Sequence, residues 1–458
     1  MIIRRFADYA AGLADADLPK NTMHAAKRAV IDWFASILPG GLEPPATMLG
    51  EAFSDSTGAA LLYPSGRGAA APMAAFINAA AAHTIEFDDI YRDGLYHPGA
   101  PVISATLAVA QARGLSGDAF LRCVIAGYEV SNRMAVAVNP AHYEYWHTTG
   151  TIGTFGAAAG AGAALGLDGI RIGHAMANAG TLASGLQQAF RADAMAKPLH
   201  TAHAAQSGVM LAMAAEKGVT GVMDILEGER GFGAAMCRDP NNPAGPDWQA
   251  AADDLEKSFT IEDMTFKNHA ACGHTHPAID GVLAIRNQHG LGPDDIQCIR
   301  VATFQKAVEI TGNSDPQTIF EAKFSLPYCA AIAMMTGGVR MAAFSNELLG
   351  DQAVTALIEK VEVTADAALS AEFPKRRAAR VEIKTTDGRR FEHYSPTRKG
   401  DPDNPLSDGE LAEKFLELCD PVLGPEGAAL LLDALWRLDE AGDLVSLPIT
   451  PAKASAAQ

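Results

Sequence analysis

The sequence is poor in cysteine and has no long uninterrupted apolar run. Its six cysteines are scattered without paired spacing: Cys123, Cys237, Cys272, Cys298, Cys329 and Cys419. This pattern predicts reduced thiols in a cytoplasm rather than a disulfide scaffold. The stretch Ala69–Ala82 comes nearest to a membrane span, but it is short and Pro72 and Asn78 interrupt it. The N-terminal residues Met1–Asp8 reach an acidic residue before any apolar run, so we expect no signal peptide.

Basic residues are also in short supply. The chain has 36 lysines and arginines against 54 acidic residues, a formal net charge of −18. This balance disfavours nucleic acids and anionic membrane surfaces as partners. It would also repel an anionic metabolite, so a site for such a substrate needs its own cluster of His, Lys and Arg side chains.

Nucleotide and zinc motifs are incomplete. Glycines recur at Gly150, Gly153 and Gly156, but no strand precedes them and no GK[ST] follows, so they predict a tightly packed helix. The segment His269–His276 has zinc-binding residue types, yet no second ligand pair lies at a recognisable distance. We therefore expect no metal site.

Length and hydrophobic periodicity predict a mostly α protein with two domains. A chain of 458 residues is too long for one ordinary core. Helical spacing dominates up to about Gly233, and short strand-like runs begin after Phe266, including a hairpin around Asp387-Gly388. We expect a large all-helical domain over 1–265, an α+β domain over 266–398, and C-terminal helices over 399–458 that return to the first domain.

Individual helix ends can be predicted from local signals. Asn21 is a plausible N-cap for a helix over Thr22–Leu38, and Gly114 should stop the helix that begins near Pro101. Ser407 and Glu410 form the pattern of a capping box.

Histidines stand in short motifs within otherwise bland Ala- and Gly-rich sequence. The motifs are His83-Thr-Ile-Glu86-Phe-Asp88-Asp89, His97-Pro-Gly, Trp146-His147, Lys197-Pro-Leu-His200 and His274-Thr-His276-Pro. Imidazole has an ordinary pKa close to 7, and several imidazoles with a lysine and carboxylates suggest a proton-transfer site. Each motif also has a structural interpretation: a solvated acidic turn at 86–89, a core His147, a surface Lys197 and a core Tyr328.

Taken together, these motifs resemble the MmgE/PrpD family. The matching segments are His24–Trp33, Glu86–Asp89 with His97–Gly99, Gly127–Glu129, Trp146–Ala159, Lys197–His200, Lys267–Asp280, Ala322–Tyr328 and Leu406–Asp408. The resemblance covers nearly the whole chain. It implies a helical domain, an inserted α+β domain, a cleft at their junction, a homodimer, and catalysis without metal or organic cofactor. The family's active-site positions map onto the loop 86–97, His147, Lys197, His276 and Tyr328.

The chain departs from the family's known activities at specific positions. Cis-aconitate decarboxylases of this family carry Asp and Thr where this chain has Glu86 and Ile90, and the loop before His97 is one residue longer here. Methylcitrate dehydratases have Trp-Gly before the His-Pro pair, where this chain has Leu95-Tyr96.

The chemistry that the resemblance implies is removal of a proton from the carbon next to a carboxylate. Lys197, together with Arg191, is expected to hold substrate carboxylates, and His200 and Lys267 are further candidate binding residues. His147 or His97 is the expected base.

In the same scheme Glu86 or Asp88 orients that base, and Tyr328 or His276 supplies a proton. We expect a cytoplasmic, cofactor-independent hydro-lyase that acts on a hydroxylated di- or tricarboxylate. An epimerase is the alternative, followed by a cis-aconitate-type decarboxylase.

Overall fold

The chain forms two compact units. The structure, a computed structural model, describes residues 1–190, 194–239, 242, 245–255 and 257–449. One unit contains residues 1–264 and the chain from Ser407 onward, and the other contains residues 265–406. The stretch 399–406, which the sequence analysis assigned to the C-terminal helices, lies in the second unit. There the Lys399 N–H donates to Asp280 and the Phe266 N–H donates to the Gly400 carbonyl.

The first unit is built from helices over most of its length. These are α1 (Ile2–Gly12), α2 (Lys20–Gly40), α3 (Ala46–Ala52), α4 (Ala71–Thr84), α5 (Gly99–Arg113), α6 (Gly117–Val138), α7 (Thr148–Ala164), α8 (Gly169–Leu182), α9 (Ala196–Glu216), α10 (Phe232–Met236) and α11 (Trp248–Asp253). A short antiparallel pair, β1 (Ala60–Leu61) and β2 (Gly68–Ala69), lies between α3 and α4, where the sequence analysis expected no strand. Two residues per strand are too few for an alternating pattern to show.

Helix α7 lies at the centre of this unit and packs against α5, α6, α8 and α9. Nearly all of its residues are buried. Its glycines make the close approach possible: a Cβ on Gly156 would lie 2.7 Å from the Ser131 Cβ, and one on Gly153 would lie 2.8 Å from Pro101 Cγ. The predicted packing role of these glycines is confirmed.

The second unit combines short helices with one mixed sheet. Its helices are α12 (His276–His289), α13 (Gln305–Thr311), α14 (Ile319–Lys323), α15 (Leu326–Thr336), α16 (Asn346–Leu349), α17 (Gln352–Ile358) and α18 (Ala367–Glu372). Its strands are β3 (Ile296–Thr303), β4 (Val361–Ala365), β5 (Ala379–Thr385) and β6 (Arg390–Ser395), in the order β4-β3-β5-β6. Strand β4 is parallel to β3, and the other pairs are antiparallel. The predicted hairpin is β5–β6, with Gly388 at φ +88° in its turn.

The chain then returns to the first unit through α19 (Asp408–Trp436), which is kinked at Gly424 with φ +75°. The predicted capping box is present: the Ser407 hydroxyl accepts from the Glu410 N–H, and the Glu410 carboxylate accepts from the Ser407 N–H. Gly114 ends α5 in the left-handed conformation, as predicted. The prediction for Asn21 was wrong, because α2 already begins at Lys20 with Pro19 as its N-cap.

Two further observations concern thiols and membranes. All six cysteines are free, and all except Cys298 are buried. Within the described part of the chain, every helix is too short or too polar to cross a lipid bilayer.

The contact between α7 and α9 yields a stability prediction. A Cβ on Gly208 would lie 2.4 Å from the Ala157 Cβ and 2.6 Å from the Ala157 carbonyl carbon. Gly208→Ala should therefore lower the free energy of unfolding by about 1–3 kcal/mol, measured by denaturant titration. Gly50→Ala is the control, because a Cβ there meets nothing within 4 Å. The free energy of unfolding of that variant should be unchanged or higher by up to ~1 kcal/mol. An equal decrease in the free energy of unfolding in both variants would show that the close contact at Gly208 is not the cause.

Candidate active site

The loop between α4 and α5 brings several polar side chains into the interior. Glu86, just after the end of α4, takes a left-handed backbone conformation with φ +62°, and Leu95 does so with φ +50°. A non-glycine residue rarely adopts this region, and such strain is concentrated at functional sites. Tyr91 and Tyr96 pair in an antiparallel bridge that closes the loop. The side chains of Glu86, Asp88 and Asp89 are all buried, so the interpretation of 86–89 as a solvated turn is wrong.

Buried polar contacts hold this loop in place from two sides. Asp89 accepts from the Gly99 N–H at 3.0 Å and from the Tyr128 hydroxyl at 2.8 Å. Burial, and then the nearby Asp32 and Asp88 carboxylates, raise the pKa of Asp89 well above its ordinary value. On the other side, the Lys414 ammonium of α19 donates to the Phe87 carbonyl at 2.7 Å and to Asp32 at 2.6 Å.

Asp88 lies between two imidazoles. Its Oδ2 is 2.7 Å from His83 Nδ1 and 3.3 Å from His97 Nδ1. Burial acts to raise the pKa of Asp88, but attraction to His83 and His97, with a hydrogen bond from His83, outweighs burial and holds that pKa well below its ordinary value. Asp88 is therefore an anion at neutral pH. His97 is the more exposed of the two imidazoles, with 16% of its side chain accessible against 0% for His83.

A second pair of histidines lies beside this group. His147 is the N-cap of α7, and its Nδ1 is 3.1 Å from Nδ1 of His200 on α9. The His147 ring stacks against His83 with centroids 5.7 Å apart. Burial, followed by the neighbouring His83, His200, Lys197 and His97, lowers the pKa of His147 well below its ordinary value. Burial, with His83 and Lys197, lowers the pKa of His200 to about 4. Both rings are neutral at pH 7.

Lys197, in the first turn of α9, forms a buried ion pair with Glu86. The ammonium also lies 5.8 Å from the centroid of the Phe190 ring, and that ring contacts His147 edge-on. The interpretation of Lys197 as a surface residue is therefore wrong. A desolvated ammonium ion beside neutral imidazoles is a site where a carboxylate could bind.

Three predicted site residues belong to the second unit. Lys267 and His276 are buried, and the His276 Nε2 contacts the Ala271 carbonyl at 3.1 Å. Burial, then His269, Arg398 and Lys267, lower the pKa of His276 well below its ordinary value, so its ring is neutral. The Tyr328 hydroxyl donates to the Ala343 carbonyl at 2.8 Å, and burial raises its pKa. Tyr328 thus keeps its proton at neutral pH, whereas a neutral His276 is better suited to accept one.

The structure thus gathers six of the predicted residues in the first unit: Glu86, Asp88, His97, His147, Lys197 and His200. Arg191 lies outside the described residues. His83 lies in one of the sequence motifs but has no predicted role, although it contacts Asp88 more closely than His97 does. The available clue was that histidines flank the acidic motif on both sides.

Metal binding can be assessed from the donor atoms. Among the described residues, only His83, Asp88 and His97 form a group whose ligating atoms all lie within 4.8 Å of one another. Both imidazoles turn Nδ1 toward one carboxylate oxygen, and the shorter contact has the length of a hydrogen bond. A zinc ion would need about 2.0–2.2 Å to each ligand atom in place of that contact. We therefore interpret the group as a hydrogen-bonded unit.

The histidines of the segment 269–276 have different polar partners, although the rings of His269 and His276 meet edge-on with centroids 5.1 Å apart. His269 contacts Asp280 at 2.8 Å, and His274 packs against the rings of Phe304 and Phe373. His276 contacts the Ala271 carbonyl instead. Their separate partners explain why zinc-like residue types occur here without a shared ligand geometry.

Comparison with known proteins identifies the family. The MmgE/PrpD N-terminal domain matches residues 4–244, and the MmgE/PrpD C-terminal domain matches residues 269–439. These matches cover most of the chain, which therefore belongs to the MmgE/PrpD family. The resemblance drawn from the motifs is confirmed.

Several named relatives are similar to this chain. Cis-aconitate decarboxylase of Homo sapiens is 28% identical over 381 residues, which cover 81% of this chain and 77% of that protein. The cis-aconitate decarboxylase-like protein oryM of Aspergillus oryzae is 25% identical over 95% of this chain and 94% of its own length. The 2-methylcitrate dehydratase of Escherichia coli is 25% identical over 144 residues, 30% of each chain.

The ion pair between Glu86 and Lys197 predicts a stability effect. Lys197→Met removes the ammonium and leaves the Glu86 carboxylate buried, which should lower the free energy of unfolding by about 3–5 kcal/mol. The double variant Glu86→Gln/Lys197→Met removes both charges and should recover most of that loss. Denaturant titrations of the three proteins at neutral pH test this. A double variant no more stable than Lys197→Met would show that charge burial is not the cause.

Proposed function

We propose that this chain is a cofactor-independent lyase that removes a proton from the carbon next to a carboxylate. The observation that carries the proposal is the anionic Asp88 carboxylate beside Nδ1 of the partly exposed His97. A carboxylate at Nδ1 orients an imidazole and leaves Nε2 to act on a substrate. The neighbouring His147 and His200 are both neutral, so their rings can accept a proton more readily than they can donate one.

The proposed substrate is a hydroxylated di- or tricarboxylate. In the first step His97 takes the proton, and the electron pair of the broken C–H bond moves toward the neighbouring carboxylate. Lys197 stabilises the charge that develops there. Its ammonium has three N–H donors and can therefore contact Glu86 and a substrate carboxylate at the same time.

In the second step that electron pair forms a carbon–carbon double bond, and the hydroxyl on the adjacent carbon leaves as water after it gains a proton. We assign this proton to Tyr328, whose phenol carries its hydrogen at neutral pH. Lys267 is assigned to carboxylate binding. These roles in the second unit follow from the family's motif positions.

Decarboxylation is the second candidate, favoured by similarity to cis-aconitate decarboxylases over most of the chain. That reaction begins with loss of carbon dioxide, so it needs no base at the start, and it ends with a proton delivered to carbon. Two neutral histidines with lowered pKa values suit removal of a proton better.

We also propose that the protein acts in the cytoplasm as a homodimer. Analytical ultracentrifugation of the purified protein tests the proposed dimer.

The reaction class is tested by mass spectrometry of products formed in D2O. The purified protein is incubated with a panel of hydroxylated polycarboxylates that includes 2-methylcitrate, and with cis-aconitate. Loss of water supports the lyase proposal, and loss of carbon dioxide supports the decarboxylase. Deuterium uptake without any other change in mass indicates an epimerase. No change with any member of the panel contradicts the proposed substrate class.

His97→Gln should lower turnover by about 10²–10⁴-fold, because it removes the proposed base. His24→Gln is the control: His24 is a surface residue of α2 that contacts Asp408, and its loss should leave turnover unchanged. Turnover is measured by the rate of product formation, with circular dichroism to verify folding. Full activity in His97→Gln would exclude His97 as the base.

A further inference from the structure

His83 occupies an unusual position for a residue with no assigned role. It lies in the last turn of α4, its side chain is fully buried, and its Nδ1 is 2.7 Å from Asp88 Oδ2. The same oxygen is 3.3 Å from His97 Nδ1. The His83 ring meets the His97 ring edge-on at 4.9 Å between centroids. One carboxylate oxygen is therefore shared by two imidazoles.

The direction of the shorter hydrogen bond follows from burial. His83 Nε2 is buried and has no hydrogen-bond partner among the described residues. A buried N–H without an acceptor is costly, whereas a neutral ring with its hydrogen on Nδ1 leaves only a lone pair at Nε2. Nδ1 of His83 therefore donates to Asp88, which is anionic and accepts.

This donation changes what Asp88 can do for His97. A carboxylate close to an imidazole stabilises the imidazolium and raises its pKa. When a second N–H donates to the same oxygen, part of the negative charge is already compensated, and the stabilisation of protonated His97 is smaller. A base works best when its pKa lies near the operating pH, because a tightly held proton leaves it unavailable.

We propose that His83 is a positioning residue for His97. By donating a hydrogen bond to Asp88, it compensates part of the negative charge of that carboxylate, and His97 is therefore a weaker base than it would be if Asp88 interacted with His97 alone. This inference rests on the proposed function, in which His97 moves the substrate proton.

Other titratable and charged groups also lie near the group formed by His83, Asp88 and His97. They are Asp89 from the loop, His147 from α7, Lys197 and His200 from α9, and also Glu86 and Asp32, which lie beside Lys197 and Asp89, respectively. All of them are retained in the variants below, so a change at His97 reports the His83 substitution.

Two substitutions at His83 separate hydrogen bonding from packing. His83→Asn places an amide N–H near the position of Nδ1 and keeps a donor to Asp88. His83→Leu fills a similar volume and removes the donor. In protein labelled with ¹³C-histidine, the pKa of His97 is read from ring NMR signals, which are assigned by their absence in His97→Gln.

The His97 pKa should rise by about 1 pH unit in His83→Leu and stay close to the wild-type value in His83→Asn. The acid limb of kcat/KM against pH should move upward with it, because the base must be unprotonated. An unchanged or lower His97 pKa in a folded His83→Leu would overturn the proposal.

A measurement on the unmodified protein covers the case in which His83→Leu does not fold. Ring ¹⁵N shifts report which nitrogen carries the hydrogen, and His83 should be the Nδ1–H tautomer. An Nε2–H tautomer would overturn the proposal without any variant. Failure of the proposed function alone gives a different result. His97→Gln would then keep full turnover, while the pKa of His97 would still be higher in His83→Leu than in the wild-type protein.

Discussion

A buried carboxylate without compensation is among the most destabilising features that a protein interior can contain, and the buried Asp88 avoids this state only through its partners. Its charge is compensated by the imidazoles of His83 and His97. These two residues come from the end of a helix and from the far side of an irregular loop, so compensation at Asp88 fixes both ends of that loop. The neighbouring helices α7 and α9 then supply His147, His200 and Lys197 to the same interior region.

Elements with local signals could be predicted from the sequence. Gly114 ends a helix because it is free to take φ +66°, and Ser407 with Glu410 satisfies the first N–H groups of α19. The Asp387-Gly388 turn likewise identified the β5–β6 hairpin. The assignment of 399–406 failed because backbone contacts to Asp280 and Phe266, more than a hundred residues away in sequence, decide where that stretch belongs.

The candidate site likewise contains features that local sequence predicts and contacts that it does not predict. Residue types in motifs selected Asp88, His97, His147 and Lys197 as candidates, but could not select their partners. Glu86 and Lys197 lie 111 positions apart. His83 and Asp88 are close in sequence, yet their contact depends on a left-handed backbone at Glu86, and glutamate gives no sign of that conformation.

The contact between Lys414 and the Phe87 carbonyl joins the last long helix to the acidic loop across 327 positions of sequence. During synthesis the loop emerges long before this lysine, and the whole of residues 265–406 is made in between. Until α19 docks, neither the Phe87 carbonyl nor Asp32 has this buried cation. The acidic loop therefore gains this contact only after α19 has been synthesised, so shorter nascent chains would carry the histidines without the Lys414 cation beside the loop.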